Sequence, residues 1–258
     1  MAEILLAIDA WTPLERLLPA ALLMASQQHA ALVGVFACDS RLSQGAALPF
    51  THEVGAHSAS CYPVTAESID RRIQTIAESV RRRLATAAER QHVPWEFRTC
   101  DGSILRITNE TDADVVFPGW NRNSSTASIH ARCLIPKNSS GTVIVVVDDG
   151  TPSLANVISA ARQLATNTKH HQLIIVKMVS DTECPAMKSG APTGRSVQTG
   201  TINEVTVRAA SMEQLIRHLR QLDPFLMLIG RDQRLMKDSQ LLRNLSLIRC
   251  PIALLRTT

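Results

Sequence analysis

The order of strands and helices repeats within this chain, and that repetition limits what the chain can fold into. Near the start, an apolar run at residues 4–8 ends in Asp9, helix-spaced apolar residues follow, and a second apolar run covers residues 31–37. This pattern predicts a strand, a helix and a strand. The same order begins again about 140 residues later, which is typical of an internal duplication.

The second copy opens with a β-branched run at residues 142–147 that ends in Asp148 and Asp149. A helical pattern at residues 154–165 and an apolar run at residues 173–176 follow it. Alternating strands and helices predict a parallel sheet with right-handed crossovers. We therefore expect an α/β protein of two tandem domains, residues 1–140 and 141–258, each with its own parallel sheet.

The two copies close in the same way but differ in the middle. Each has a late apolar strand that stops at a glycine, Gly119 in the first half and Gly230 in the second. The first half has a long amphipathic pattern at residues 66–90, whereas residues 180–200 of the second are rich in Gly, Pro, Ser and Thr. The second domain is therefore predicted to lack a helix. The source of the fifth strand of the first sheet stays open, because only residues 132–135 or the run at 142–147 could supply it. Either the first sheet is short, or the two halves share that strand.

Composition and cysteine usage indicate a cytoplasmic protein. The chain has 258 residues, of which 45% are apolar and 19% charged, and its net charge is +4. Six scattered cysteines without a C-x-x-C pair predict reduced thiols. The longest uncharged stretch, residues 17–38, contains Pro19 and a polar run, so we expect no membrane insertion. Aromatic residues make up only 3%, which disfavours a nucleic-acid partner bound by stacked rings.

The sequence contains none of the motifs that mark common catalytic sites. There is no phosphate loop, G-x-G-x-x-G or G-x-S-x-G, and no nucleophile with a base at suitable spacing. We therefore expect that the protein is not an enzyme. His52, Glu53, His57 and Cys61 fit no standard metal spacing, so no metal site is predicted. The arginines of residues 66–90 alternate with acids, which favours a solvated helix face over an anionic partner.

The strand-then-acid starts, the alanine-rich first helices and the strand ends at Gly119 and Gly230 resemble the universal stress protein family in its tandem two-domain form. The terminal Cys-Pro-apolar strand at residues 250–255 adds to this resemblance. It covers nearly the whole chain. It implies Rossmann-like domains with five-stranded parallel sheets, ATP binding in many members, and pairing of the two domains, with a homodimer as a further expectation.

The resemblance also implies where a nucleotide would lie. The family motif is a glycine, two residues, a glycine, nine residues, and then glycine with Ser or Thr, whose backbone amides hold phosphates. Only the first glycine of the motif is present in each half. The later motif positions hold Arg122, Arg132 and Cys133 in the first half, and Gln233, Arg243 and Asn244 in the second. The nucleotide positions implied by the family are Asp9, Gly119, Asp149 and Gly230.

Three functions follow as hypotheses. The leading one is a non-enzymatic stress-response binding or adaptor module with degenerate nucleotide motifs and a protein partner. The second is a stress sensor that keeps one site for ATP or AMP. The third is the soluble regulatory domain of a cation or amino-acid transporter. Fold alone does not choose among them.

Overall fold

A computed structural model describes most of the first half of the chain and parts of the second. The described residues are 2–54, 60–119, 142–148, 150–151, 154–167, 171–178, 195–199, 202–209, 219, 224–231 and 250–256. The helices are α1 (Leu14–Gln28), α2 (Ser40–Ala46), α3 (Ala66–Arg90), α4 (Ile104–Glu110) and α5 (Leu154–Asn167). The strands are β1 (Glu3–Ile8), β2 (Ala31–Cys38), β3 (His52–Val54), β4 (Cys61–Pro63), β5 (Trp95–Asp101), β6 (Val115–Pro118), β7 (Thr142–Asp148), β8 (His171–Met178), β9 (Arg195–Thr199), β10 (Ile202–Ala209), β11 (Leu226–Gly230) and β12 (Ile252–Leu255).

Ten of these strands form one sheet in the order β5-β2-β1-β6-β12-β11-β7-β8-β10-β9. Neighbouring strands are parallel except for two pairs, β6 with β12 and β10 with β9. In the described ranges, α1, α3, α4 and α5 connect successive parallel strands, so the predicted α/β, Rossmann-like fold class is confirmed.

The sheet corrects the expectation of two separate parallel sheets. The first half contributes the order β5-β2-β1-β6, and the second half repeats that order as β10-β8-β7-β11 before adding β12. The two halves join where β12 pairs antiparallel with β6, with Leu254 opposite Val116 and Leu255 opposite Val115. A single continuous sheet results because the last strand of the second half hydrogen-bonds the open side of β6.

This junction also bears on the open question of the fifth strand. The run at residues 142–147 lies in β7, between β11 and β8 of the second half, and so does not extend the first half. The place beside β6 is taken by β12. Residues 132–135, the other source considered, lie outside the described residues, and the predicted boundary at residue 140 stays a prediction.

Both faces of the sheet are covered, which explains why its central strands are apolar along their whole length. On one face, α1, α3 and α5 pack over residues such as Leu6, Phe36 and Val146. On the other, α4 packs through Ile104 over residues such as Leu5 and Val116. The core therefore lies on both sides of a sheet that both halves share.

Helix α3 has the bounds that its apolar period predicts. Its N-terminus is closed by a capping box, in which the Thr65 and Ser68 side chains accept each other's backbone N–H at 3.2 Å. Leu84 of α3 is fully buried above Gly34 of β2, where an added Cβ would lie 2.7 Å from Leu84 Cδ1. A glycine at this position lets the helix pack close to the strand.

Two antiparallel strand pairs were not expected from the sequence. Strands β3 and β4 pair with each other near the histidines that fit no metal spacing. Within the stretch at 180–200, residues 195–199 form β9, which pairs with β10. The remaining residues of that stretch, where the absence of a helix was expected, lie outside the described residues.

Two features of the described residues concern membrane insertion and disulfides. None of the described helices is both long and apolar enough to cross a bilayer. Among the described cysteines, Cys38, Cys61, Cys100 and Cys250 are not in disulfides.

Candidate functional site

The first candidate site is the crevice beyond the carboxyl ends of β1 and β6. These strands are neighbours in the sheet, but the chain leaves β1 toward β2 on the opposite side, so their ends form a topological switch point. Open α/β sheets bind ligands at such points. Asp9 follows β1 and Gly119 follows β6, and the Gly119 N–H donates to the Ala7 carbonyl at 2.8 Å. The structure thus brings these two predicted residues together.

Thr12 links Asp9 to Gly119. Its hydroxyl donates to Asp9 Oδ1 at 2.8 Å and lies 3.3 Å from the Gly119 carbonyl oxygen. The Asp9 N–H in turn donates to Thr12 Oγ1 at 3.0 Å. The Thr12 hydroxyl is thus hydrogen-bonded to Asp9, and Pro13 takes the N-cap position of α1 without a side-chain cap.

Gly119 has no space for a side chain. A Cβ there would clash with Thr12 Oγ1, and it would lie 2.7 Å from Thr12 Cγ2 and 2.8 Å from the Ala7 carbonyl oxygen. Glycine is therefore required by packing within the protein, independently of any ligand.

The Asp9 carboxylate is only partly occupied by these contacts. Oδ1 accepts the Trp11 N–H at 2.9 Å as well as the Thr12 hydroxyl. Oδ2 has no hydrogen-bond donor within the part of the chain that the structure describes. The Trp11 residue, whose backbone contacts Asp9, is 70% exposed. One carboxylate oxygen without a hydrogen-bond donor and one exposed aromatic residue thus follow β1 within the described ranges.

The second half places Asp148 in a similar turn. Asp148 is 8% exposed at the end of β7, and its Oδ1 accepts the Gly150 N–H at 2.8 Å. Its Oδ2 lies 3.9 Å from Lys177 Nζ. Gly150 has a φ of 79°, a conformation that favours glycine. The predicted residue, Asp149, lies outside the described residues.

Gly230 is buried at the end of β11, and the residue after it contacts the first half of the chain. The Arg231 guanidinium donates to the carbonyl oxygens of Thr108 at 2.9 Å, Thr111 at 3.0 Å and Ala113 at 3.2 Å. These acceptors lie at and beyond the carboxyl end of α4, where helix carbonyls lack intrahelical donors. Sequence reasoning missed Arg231 because its partners are more than a hundred residues away.

The second strand-end crevice lies beyond the carboxyl ends of β7 and β11. It opens at the opposite edge of the sheet from the first crevice. Because β12 is antiparallel to β6, the strands of the second half run opposite to those of the first. The structure therefore separates the predicted pair Asp9 and Gly119 from Gly230. The later motif positions of both halves, which include Arg132 and Arg243, lie outside the described residues. Within the residues described, no three His, Cys, Asp or Glu side chains gather as metal ligands would.

Comparisons with known proteins give a likeness among solved structures. No protein family model matches the chain, and no curated protein matches it. Among solved structures, the chain is similar to a universal stress protein from Archaeoglobus fulgidus DSM 4304, with 9% sequence identity, over 99% of this chain and 96% of that chain, at a TM-score of 0.47.

Proposed function

We propose that this protein is a non-enzymatic, cytoplasmic binding or adaptor module of the universal stress type, with degenerate nucleotide motifs. One observation carries the proposal: the Thr12 side chain lies against Gly119 and hydrogen-bonds Asp9 at the first strand-end crevice. The Thr12 hydroxyl, Asp9 Oδ1 and the Gly119 carbonyl, which would otherwise be available to a ligand there, bind one another.

The second crevice supports the same function. A phosphate site at a strand end needs backbone N–H groups turned toward the ligand. After Gly230, the backbone N–H of Arg231 donates to the Leu255 carbonyl at 2.8 Å, and its side chain binds the first half. The residues at the start of this motif in the second half, Gly230 and Arg231, therefore take part in contacts within the chain.

Native mass spectrometry of freshly purified protein, followed by denaturation and identification of released small molecules, tests the proposal. We expect a chain without stoichiometric nucleotide. A nucleotide at one per chain that the protein hydrolyses would overturn the adaptor function.

A second candidate is a sensor that binds ATP or AMP at the first crevice, and the open Asp9 Oδ2 beside the exposed Trp11 favours it. A carboxylate can accept ribose hydroxyls, and an indole can stack on a base. If this function is correct, ATP raises the melting temperature of the wild type, and Asp9→Ala abolishes that rise. Asp149→Ala, which removes an aspartate of the second half of the sequence, is the matched control. An unchanged rise in Asp9→Ala would exclude Asp9 as a ligand contact.

A further inference from the structure

An arginine-lined groove lies between α1 and α3, away from both strand-end crevices. It has a volume of about 370 Å³, with Arg82, Arg83 and Arg90 on its wall and Leu18 and Ala87 among its apolar lining. A volume of that size holds about a dozen water molecules. The groove therefore combines an apolar floor with a strongly basic rim.

The arginines of this groove differ in how they are paired. Arg83 forms an ion pair with Glu15 of α1, which ties the two helices together. Arg82 and Arg90 are exposed and form no ion pair with any residue in the described ranges. By contrast, Arg71 and Arg81 elsewhere on α3 pair with Glu67 and Glu78. Within the described ranges, two positive charges of this groove thus remain uncompensated.

The spacing of these charges suits an elongated partner. Arg82 and Arg90 are eight residues apart on one helix, which separates them by about 12 Å along its axis. Small-molecule sites bury most of their ligand, whereas these arginines stand open to solvent. A helical segment with carboxylates about two turns apart would reach both.

Charge and apolar area together favour a protein segment over other anions. A uniform polyanion such as DNA would also meet Glu15 and Glu78 beside the groove. Leu18 is recessed and only 8% exposed. A lipid surface has no side chain that could enter the groove and cover it. An acidic amphipathic helix satisfies both features, because an apolar residue between its carboxylates would contact Leu18 and Ala87.

We propose that the α1–α3 groove binds an acidic amphipathic helix of a partner protein, with Arg82 and Arg90 receiving its carboxylates. This adds a partner class to the proposed adaptor function and rests on that function for its biological role. The binding itself depends only on the groove.

The test is fluorescence anisotropy with a labelled synthetic helix of Glu, Leu and Ala, in which two glutamates at the spacing of Arg82 and Arg90 flank a leucine. We expect saturable binding that weakens as ionic strength rises. The double variant Arg82→Gln/Arg90→Gln should bind at least about fivefold more weakly. Arg71→Gln/Arg98→Gln, which changes the net charge equally at exposed residues that do not line the groove, should bind as the wild type does.

Equal affinity of both double variants, or no binding of the acidic helix by the wild type, would overturn the proposal. Duplex DNA and phosphatidylserine vesicles serve as competing probes, and a preference for either that depends on Arg82 and Arg90 would assign the groove to that polyanion instead. Circular dichroism confirms that the variants are folded. If the protein binds and hydrolyses ATP, the proposed adaptor function is wrong, but the affinity of the groove for the helix is unchanged. The failure of one proposal can therefore be distinguished from the failure of the other.

Discussion

At the scale of single residues, the contact between Thr12 and Gly119 decides what the first crevice can hold. The Thr12 hydroxyl joins the turn after β1 to the end of β6, and the missing side chain of Gly119 makes that approach possible. A glycine that a motif assigns to phosphate binding is here needed for packing. The same residue type in the same place can thus be explained without a ligand.

Gly119→Ala should destabilise the protein strongly. The new Cβ would clash with Thr12 and with the Ala7 carbonyl, which is backbone and cannot move away, so we expect a loss of about 1–3 kcal/mol in the free energy of unfolding. Urea unfolding measures it. Gly45→Ala is the matched control, because nothing lies within 4 Å of an added Cβ there and alanine favours the helix α2. Equal stability of Gly119→Ala and wild type would contradict the packing argument.

At the scale of secondary-structure elements, α1 and α3 are held together by burial and by one ion pair. Leu84 and Leu18 supply apolar contact beneath them, and Glu15 pairs with Arg83 at the surface. Burial raises the pKa of Glu15, but a backbone hydrogen bond and Arg83 outweigh that effect and hold this pKa below its ordinary 4.5. The ion pair is therefore a pH-dependent contribution to a mainly apolar contact.

Glu15→Gln should cost little stability at neutral pH and nothing in acid. Because the folded-state pKa is lowered, the carboxylate stabilises the fold above the unfolded-state pKa, and this contribution disappears as pH falls through the folded-state pKa. Both side chains are about half exposed, so we expect at most about 1 kcal/mol. Thermal unfolding from pH 7 to pH 3 measures it.

The control for this prediction is the same substitution in an Arg83→Gln background. Removing the guanidinium should abolish most of the pH-dependent difference between glutamate and glutamine at position 15. A difference that persists without Arg83 would show that other groups set the pKa of Glu15.

At the scale of the whole molecule, the junction of β6 with β12 makes two similar strand arrangements into one sheet. Arg231 reinforces this junction with three hydrogen bonds, and the Arg256 guanidinium adds one to the Asp112 carbonyl at 3.0 Å. We expect the described sheet to unfold as one cooperative unit because its middle strands belong to different halves.

Arg231→Ala should lower the free energy of unfolding by about 2–3 kcal/mol, since three partly buried carbonyl oxygens lose a charged donor. Arg231→Lys should restore only part of the lost free energy of unfolding, because an ammonium group lacks the planar set of N–H donors of a guanidinium. Arg256→Ala is the matched control and should cost less than about 1 kcal/mol, because it removes one exposed hydrogen bond and a 3.9 Å ion pair, both to Asp112.

Two spectroscopic signals make this measurement specific to the junction. All three tryptophans lie in the first half, at positions 11, 95 and 120, so fluorescence reports that half while far-ultraviolet circular dichroism reports the whole chain. The two urea transitions should coincide in the wild type and move together in Arg231→Ala. A fluorescence transition that stays in place while the dichroism moves would show that Arg231 does not join the halves.

The parts of this structure that the sequence could predict are those with local causes. The bounds of α3 follow from its apolar period and its capping residues, and the order of strands and helices follows from runs of buried residues. The junction of β6 with β12 and the three hydrogen bonds of the Arg231 guanidinium could not be predicted. Each depends on residues that come into contact only after folding. The role of Thr12 was predictable in part. An Asp and a Thr three positions apart often share a hydrogen bond, as Asp9 and Thr12 do.

The position of β12 also bears on how the chain is made. This strand sits in the middle of the sheet, yet it leaves the ribosome after every other described strand. At 5–20 residues per second, the stretch from Pro118 to Ile252 takes on the order of ten seconds to translate. During that time β6 lacks the partner that will cover its backbone groups. Until β12 is made, the nascent first half therefore has an unpaired strand, and we expect it to be prone to aggregation during that time.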